Sequence, residues 1–341
     1  MQTRADRYSY HSVFICAAVS NSLSSSGYSP APEASAYASS SQPAGFNVPL
    51  GLGERPGFSA PTAQTSVDTQ DIASSADVKT LIKQGFELRN LGNYKGAIQR
   101  FDQAIAESPN YAKSFLYRAQ TYVQMRAYDA AIKDFRTVLK LDPHNARAWH
   151  GQGVAKAELR LYPSAVDSFE RAIKCEPGND KIWYNRGRAL LKLEQYETAL
   201  ESFDKAVELN GERYHTWYNR ALAQAALEKI QPAVISLEKA TLLKTSCHYA
   251  WNYRGTLLNR LFKHQDALDS FWTSLQHRVP NPNAWYGLAS TYALLNNPDS
   301  TAIHLRQAVK LNPSIYSLMA LNDVNFDLVR NHPKVRSILQ T

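Results

Sequence analysis

The stretch WYNR occurs at residues 183–186 and again at 217–220, and the related WNYR occupies 251–254. The three stretches begin 34 residues apart. A constant spacing of this length is typical of tandem repeats, each of which is one small unit of secondary structure. The spacing therefore predicts an array of stacked units rather than a single globular core.

The same period runs through the chain from Val78, and seven blocks of 34 residues align without an insertion. We number the positions within each block from 1 to 34. Two columns hold mostly bulky apolar residues: position 4 has Leu81, Phe115, Trp149, Trp183, Trp217, Trp251 and Trp285, and position 24 has Phe101, Phe135, Phe169, Phe203, Leu237, Phe271 and Leu305. Two further columns hold small residues: position 8 has Gly85, Ala119, Gly153, Gly187, Ala221, Gly255 and Ala289, and position 20 has Ala97, Ala131, Ala165, Ala199, Ala233, Ala267 and Thr301.

Within a block, these columns fall at helical spacing on either side of a polar break, which predicts two amphipathic helices joined by a short turn. The small residues let the two backbones approach, and the bulky ones fill the remaining space. Proline at position 32 of four blocks is expected to end the second helix, because it lacks the amide hydrogen. We expect Trp183 and Trp217 in the core, where truncation of a tryptophan costs about 3–5 kcal/mol.

The pattern over residues 78–315 resembles the tetratricopeptide repeat (TPR) family. The resemblance implies an all-α fold, a right-handed superhelical solenoid of tandem helix-turn-helix pairs. The seven repeats of 78–313 are expected at approximately 78–111, 112–145, 146–179, 180–213, 214–247, 248–281 and 282–315, followed by C-terminal capping helices at 314–341. The arginines at position 7 are expected to pair with acidic residues of a neighbouring helix; they are Arg118, Arg186, Arg220 and Arg254.

Residues 1–77 differ in composition, being rich in Ser, Ala and Pro without helical or strand periodicity. Such a segment cannot bury enough apolar surface to offset its ordering entropy, so we predict a disordered tail. An apolar run at 13–19 follows Arg4 and Arg7, which leaves a signal or transit peptide as an alternative to the cytoplasmic location that we favour. No apolar run reaches the roughly 18 residues of a membrane span.

The rest of the composition argues against catalysis. The three cysteines lie far apart, and the nine histidines form no metal-binding spacing. No phosphate loop or nucleophile motif occurs, and the repeats leave no room for a catalytic domain. We therefore expect a protein that is not an enzyme, with no cofactor, no metal and no small-molecule substrate.

The family resemblance also implies a binding surface, because the first helix of each pair lines the concave face and contacts ligands through positions 2, 5, 6, 9, 12 and 13. A single lysine there is most simply a solvated side chain, but position 2 carries a cation in four successive blocks. The candidate peptide-binding residues are Lys79, Lys113, Arg147, His150, Lys181, Tyr184, Asn185, Arg188, His215, Tyr218, Asn219, Asn252, Tyr253 and Tyr286.

The net charge of +8 divides into −3 for residues 1–77 and +11 for the remainder, which favours acidic partners. We expect a scaffold or assembly factor that holds an extended, acidic segment of one or more partner proteins. Nucleic acid is a weaker candidate, and an RNA-binding helical-repeat protein remains an alternative. In a third hypothesis the acidic tail occupies its own groove and is autoinhibitory. Similar repeat proteins assist the assembly of membrane complexes, so a membrane-complex client stays open.

Overall fold

The computed structural model describes residues 76–340, which fall into two compact units. The first ends at Asn210 and the second begins at Gly211, and each is described by itself. The predicted disordered tail and the alternative signal or transit peptide lie outside the described residues, apart from the first two residues of the first helix. Autoinhibition by the tail therefore stays a prediction.

The first unit consists of eight helices in four antiparallel pairs. They are α1 Ala76–Asn90, α2 Tyr94–Glu107, α3 Ala112–Gln124, α4 Tyr128–Leu141, α5 Ala146–Glu158, α6 Tyr162–Cys175, α7 Asp180–Lys192 and α8 Tyr196–Leu209. Within each pair the two helices pack on each other, and the second helix also contacts the first helix of the next pair. This arrangement follows from the two apolar stripes in each block, since a single pair cannot bury both of them.

The second unit continues the pattern with three further pairs and a C-terminal segment. Its helices are α9 Tyr214–Ala226, α10 Ile230–Leu243, α11 His248–Arg260, α12 His264–His277, α13 Pro282–Leu294, α14 Pro298–Leu311, α15 Pro313–Asn322 and α16 Pro333–Leu339, with a 3₁₀ turn at Val324–Phe326. Over the described ranges the regular structure is helical throughout, so the predicted all-α repeat fold is confirmed.

The turn between the two helices of each pair places position 15 in the left-handed region of backbone space. The residues there are Gly92, Arg126, Arg160, Glu194, Glu228, Phe262 and Asn296, with φ between 52° and 78°. Left-handed backbone is unfavourable for residues with a side chain other than Asn and Asp. Six of the seven repeats nevertheless use a residue other than glycine at this position.

The core of each pair is built around the bulky residue at position 24, which is phenylalanine in five repeats and leucine (Leu237 and Leu305) in two. Phe101, Phe135, Phe169 and Phe203 are completely buried in the first unit, as Phe271 is in the second. A methyl group added to Gly85 would lie 2.5 Å from Phe101, so the ring rests directly on the backbone of the first helix. The expectation that small residues at position 8 admit bulky ones at position 24 is confirmed.

The tryptophans at position 4, which were expected in the core, are only partly buried, and Trp149 and Trp285 pack against buried clusters. In the third to sixth repeats the indole nitrogen donates to the backbone carbonyl six residues earlier. The bonds run from Trp149 to Pro143, from Trp183 to Pro177, from Trp217 to Gly211 and from Trp251 to Thr245, at 2.8–2.9 Å. An indole must keep its N–H satisfied, and the carbonyl lies in the turn between repeats. The loss predicted for truncating a core aromatic therefore applies to the phenylalanines of position 24.

Arg118, Arg186 and Arg254 at position 7 pair with acidic residues, as predicted, and Arg220 donates to Ser236 at 2.8 Å. Arg118 bonds Asp102 of the preceding repeat at 2.6 Å and Asp134 of its own at 2.7 Å. Arg186 joins Glu170 to Ser202, and Arg254 joins Glu238 to Ser270, over the same 16-residue steps backward and forward. We call a contact between repeats that contains such an arginine an arginine junction.

A second kind of contact occurs where position 7 is not arginine. Between the second and third repeats position 7 is Gln152 and position 6 is Gly151; between the sixth and seventh they are Leu288 and Gly287. A methyl group on Gly151 would lie 2.3 Å from Phe135, as would one on Gly287 from Phe271. We call these two contacts glycine junctions.

The C-terminal segment packs on the last helix pair. Phe326 and Val329 after α15, with Val335, Ile338 and Leu339 of α16, form one buried cluster with residues of α13 and α14. Tyr286 of α13 donates to Asp323 at 2.9 Å. The apolar positions of 326–339 thus cover a surface that a further repeat would otherwise bury.

Candidate functional site

The first helices of neighbouring repeats contact one another directly, α3 with α5 and α5 with α7 in the first unit, and α11 with α13 in the second. In each unit these helices therefore form a continuous surface. We call the surface made by the first helices the first-helix face. The predicted binding residues all belong to first helices, and their side chains differ widely in how much they offer to a ligand.

In the first unit, a polar cluster connects the third and fourth repeats. The Nδ2 atom of Asn185 lies 2.9 Å from Nε2 of His150. Burial, assisted by the nearby Lys181, lowers the pKa of His150 to about 4. The imidazole is therefore neutral near pH 7 and accepts the hydrogen bond from the amide. The carbonyl oxygen of Asn185 accepts no hydrogen bond from the residues that the structure describes, which leaves it available to a peptide N–H.

Cations border this cluster. Lys79, Arg147 and Lys181 are exposed at position 2 of successive first helices, and Lys113 in the same column is half-buried. The Arg188 guanidinium lies 5.6 Å from the ring centre of Tyr184. A cation on an aromatic face is held in place yet keeps its N–H donors outward. The first unit thus offers both a carbonyl acceptor and cationic donors on one face.

In the second unit, the predicted residues are bound mainly to other residues of the same unit. The hydroxyl of Tyr249 lies 3.4 Å from Nδ1 of His215, and Asn219 donates to the backbone carbonyl of His215 at 2.8 Å. The rings of Tyr218 and Tyr249 meet edge to face at 4.8 Å. Asn252 donates to Asn281, at 3.3 Å.

Three of the predicted tyrosines offer almost no surface. Tyr218, Tyr253 and Tyr286 are 4%, 2% and 1% exposed. Burial raises the pKa of Tyr253 well beyond its ordinary value, and Tyr286 is bound to Asp323 of the C-terminal segment. These tyrosines support the shape of the face, so the residues best placed to touch a ligand are those of the first unit. That any of the predicted residues binds a ligand stays a prediction.

The candidate peptide-binding residues do not include Tyr249 or Asn283, although both stand at position 2. Tyr249 contacts two predicted residues, and Asn283 accepts a hydrogen bond from Tyr316 of α15. Their column was the signal that could have revealed them, since it carries cations in the first four repeats.

Neither metal binding nor a membrane span has support in the part of the chain that the structure describes. Within residues 76–340, the His, Cys, Asp and Glu side chains form no group of three or more that could hold a metal ion. No helix in this range is long and apolar enough to cross a bilayer.

Comparison with known families gives a consistent result along the repeats. Models described as tetratricopeptide repeat match residues 116–180, 180–212, 214–247 and 282–315. No curated protein matches the chain. The sequence resemblance to the TPR family is thereby confirmed.

Several solved structures are similar in fold. The C-terminal part of a TPR repeat-containing protein from Cytophaga hutchinsonii is 15% identical, with a TM-score of 0.57 over 68% of this chain and 96% of that one. A TPR protein from Parabacteroides merdae is 14% identical, with a TM-score of 0.53 over 75% and 100%. PilF from Pseudomonas aeruginosa is 18% identical, with a TM-score of 0.52 over 63% and 95%. At these identities the likeness extends to the fold alone.

Proposed function

Because the chain belongs to the tetratricopeptide repeat family, we propose that it is a non-enzymatic scaffold that holds an extended segment of a partner protein on its first-helix face. The observation that carries this proposal is the polar cluster of His150 and Asn185 beside the exposed Lys181. Its carbonyl acceptor and flanking cations match what an extended peptide with acidic side chains presents.

The chemistry of the cluster favours a peptide over a small molecule. The neutral His150 fixes the orientation of the Asn185 amide without adding a charge. A fixed amide can bond the backbone of any sequence, whereas Lys79, Arg147 and Lys181 select for acidic side chains. The partner is therefore expected to be an acidic, extended protein segment, bound chiefly by the first unit.

The test compares the wild-type protein with the triple variant Lys113→Glu, Arg147→Glu and Lys181→Glu. Proteins captured from a lysate by the wild type are expected to be lost from the triple variant, because charge reversal repels an acidic segment. The matched control is Lys95→Glu, Lys239→Glu and Lys310→Glu, which makes the same change in charge at exposed positions of second helices. Circular dichroism should be the same in all three proteins. Equal capture by the triple variant would remove the proposal.

The acidic segment 1–77 is a second candidate occupant of this face. Its net charge of −3 is opposite in sign to the charge of the cations at position 2. A flexible chain of this length has an end-to-end distance of roughly 50 Å, which is enough to reach a nearby surface. If it competes with partners, a chain of residues 78–341 should bind a captured partner more tightly than the full-length chain. Equal dissociation constants would remove this hypothesis and leave the scaffold proposal untouched.

A further inference from the structure

The junction between the second and third repeats carries a reversed charge at one position. In the arginine junctions, position 25 holds Asp102, Glu170 or Glu238, whose carboxylate bonds the arginine at position 7 of the next repeat. Between the second and third repeats, position 25 is Arg136 and position 7 is Gln152. An exposed guanidinium therefore stands where a carboxylate stands in the arginine junctions.

A lysine takes the place of the missing arginine. Lys156, one turn after Gln152 on α5, donates from Nζ to Ser168 Oγ at 2.8 Å and to the Ser164 carbonyl at 3.3 Å. Ser168 stands at position 23, where a serine accepts a hydrogen bond from the position 7 arginine in three other repeats. An ammonium has three N–H donors, so one is left over.

A third cation lies beside them. The guanidinium of Arg171 on α6 lies 4.8 Å from the ring centre of Trp149. Burial lowers the pKa of Lys156, and Arg136 and Arg171 lower it further while Asp167 opposes them. Neither Arg136 nor Arg171 donates a hydrogen bond to any residue between 76 and 340. Arg136 and Arg171 are thus both near enough to Lys156 to act on its charge, and neither uses a donor within the described residues.

The net charge of Arg136, Lys156, Arg171 and Asp167 can be compared with the charges of possible ligands. Arg136, Lys156 and Arg171 contribute +3 and Asp167 contributes −1, which leaves +2. A phosphate group carries about −1.5 to −2 at pH 7, whereas a single carboxylate carries −1. Guanidinium groups also match the geometry of phosphate oxygens through paired N–H donors.

We propose that this junction is a binding site for a phosphate group, held by Arg136, Lys156 and Arg171. Lys133 and Lys140 on the same helix as Arg136 are exposed at spacings of three and four residues from it. They add positive potential that attracts an anion without contacting it. Arg136 and Arg171 lie on second helices. Lys156 lies on the first helix α5 at position 11, which is not one of the positions of the candidate peptide-binding residues.

Two probes test the site and distinguish the source of the phosphate. Inorganic phosphate and a phosphoserine peptide, with its unphosphorylated form as a blank, are titrated calorimetrically into the full-length protein at constant ionic strength. Saturable binding of both is expected, and the blank should give no heat. Tighter binding of the phosphopeptide assigns a phosphorylated protein segment as the source, while equal affinity assigns a free ion.

The decisive variant is Arg136→Glu, which introduces an acidic residue at position 25, as in the arginine junctions. Phosphate affinity should fall tenfold or more, while the melting temperature without phosphate rises, because the new carboxylate faces Lys156. Lys95→Glu on α2 is the matched control and should bind phosphate as the wild type does. Arg171→Gln, which removes a charge from an exposed side chain, serves if the first variant fails to fold and should also weaken binding tenfold.

The proposal is overturned if neither probe binds saturably to the wild type. It is equally overturned if Arg136→Glu or Arg171→Gln, correctly folded, binds phosphate with unchanged affinity. Binding of single-stranded RNA without binding of either probe would assign the cations to a nucleic-acid surface and would also remove the proposal.

Discussion

The arginine junction between the first and second repeats and the glycine junction between the sixth and seventh solve the same packing problem with different chemistry. In the former, Arg118 ties two carboxylates together across three helices. In the latter, the corresponding positions are Trp272, Leu288 and His304, and the Phe271 ring rests on Gly287. The two junctions show that the same three positions, 25 of one repeat and 7 and 23 of the next, can be held together either by ion pairs or by aromatic packing.

The two junctions also divide by the residue at position 6. Within each of the two units, the junctions without arginine at position 7 have glycine at position 6, whereas Arg118, Arg186 and Arg254 follow Tyr117, Asn185 and Tyr253. A glycine lets the preceding phenylalanine approach the backbone, whereas a larger residue leaves the contact to the ion pairs. Substitutions at these positions test whether the two kinds of junction are stabilised in these two different ways.

The largest effect is expected for Arg118→Ala. The Asp134 side chain is 9% exposed, so the variant leaves a buried carboxylate without its partner. Such a loss costs about 3–5 kcal/mol in the free energy of unfolding. Urea denaturation measures it, with Arg186→Ala as the control. The partners of Arg186 are Ser202 and the exposed Glu170, so that loss should be clearly smaller. Equal losses would show that the buried carboxylate is not the cause.

A smaller loss is expected for Gly151→Ala in a glycine junction. The added methyl group would lie 2.3 Å from the completely buried Phe135 ring, which has no room to withdraw. Overpacking of this kind costs roughly 1–3 kcal/mol. The control is Gly178→Ala, in a turn with open space around it. Denaturation of the two variants should separate them, and a neutral Gly151→Ala would contradict the proposed role of glycine.

The glycine junction of His304 should also respond to pH. His304 is stacked between Trp285 and Tyr292, its buried Nδ1 lacks a hydrogen-bond partner among the described residues, and burial lowers its pKa. As the pH falls, His304 therefore takes up a proton at a higher pH in the unfolded chain, where a histidine has a pKa of about 6.5, than in the folded protein. The contribution of neutral His304 to the free energy of unfolding is complete above pH 6.5. It is lost as the pH falls from there toward the pKa of His304 in the folded protein.

The measurement is thermal unfolding of the wild type and of His304→Gln between pH 7.5 and pH 5. Other buried histidines, such as His150, also lower stability over this range, so both proteins should lose stability. The wild type should lose more. Parallel curves for the two proteins would show that His304 does not titrate differently on folding.

The smallest effect is expected in the turns inside the second and seventh repeats, each of which follows one of the two compared junctions. Position 15 is Arg126 in the second repeat and Asn296 in the seventh, with φ of 60° and 52°. Asparagine tolerates this conformation better than arginine does. Arg126→Asn should therefore stabilise the protein by roughly 0.5 kcal/mol, and Asn296→Arg should destabilise it by a similar amount. Opposite signs in urea denaturation are the expected result, and equal signs would contradict this explanation.

The repeated columns were sufficient to predict the helix pairs, the small residues against Phe135 or Phe271, and the acidic partners of the position 7 arginines. These features depend on spacing along the chain, which the period fixes. The partial burial of Trp183 was not predicted, because an apolar column does not show where an indole N–H finds an acceptor.

The candidate site was less predictable than the fold. Whether Tyr218 or Tyr253 reaches the surface depends on how far each first helix is rotated toward its neighbour, which a column of residue types does not reveal. The residue types of Arg136 and Lys156 are visible in the sequence. That the two lie near each other follows only from the structure, in which position 25 of one repeat faces position 7 of the next.

The presence of two junction types in one array has a consequence for how such a gene can change in length. Blocks of equal size invite loss of one copy by recombination. Removal of residues 146–179 would place Arg136 opposite Arg186 and Phe135 opposite Asn185, two guanidiniums at close range and a ring without its glycine. Loss of this repeat would therefore destabilise the array. A repeat can be lost without such a cost only where positions 24 and 25 before it fit positions 6 and 7 after it.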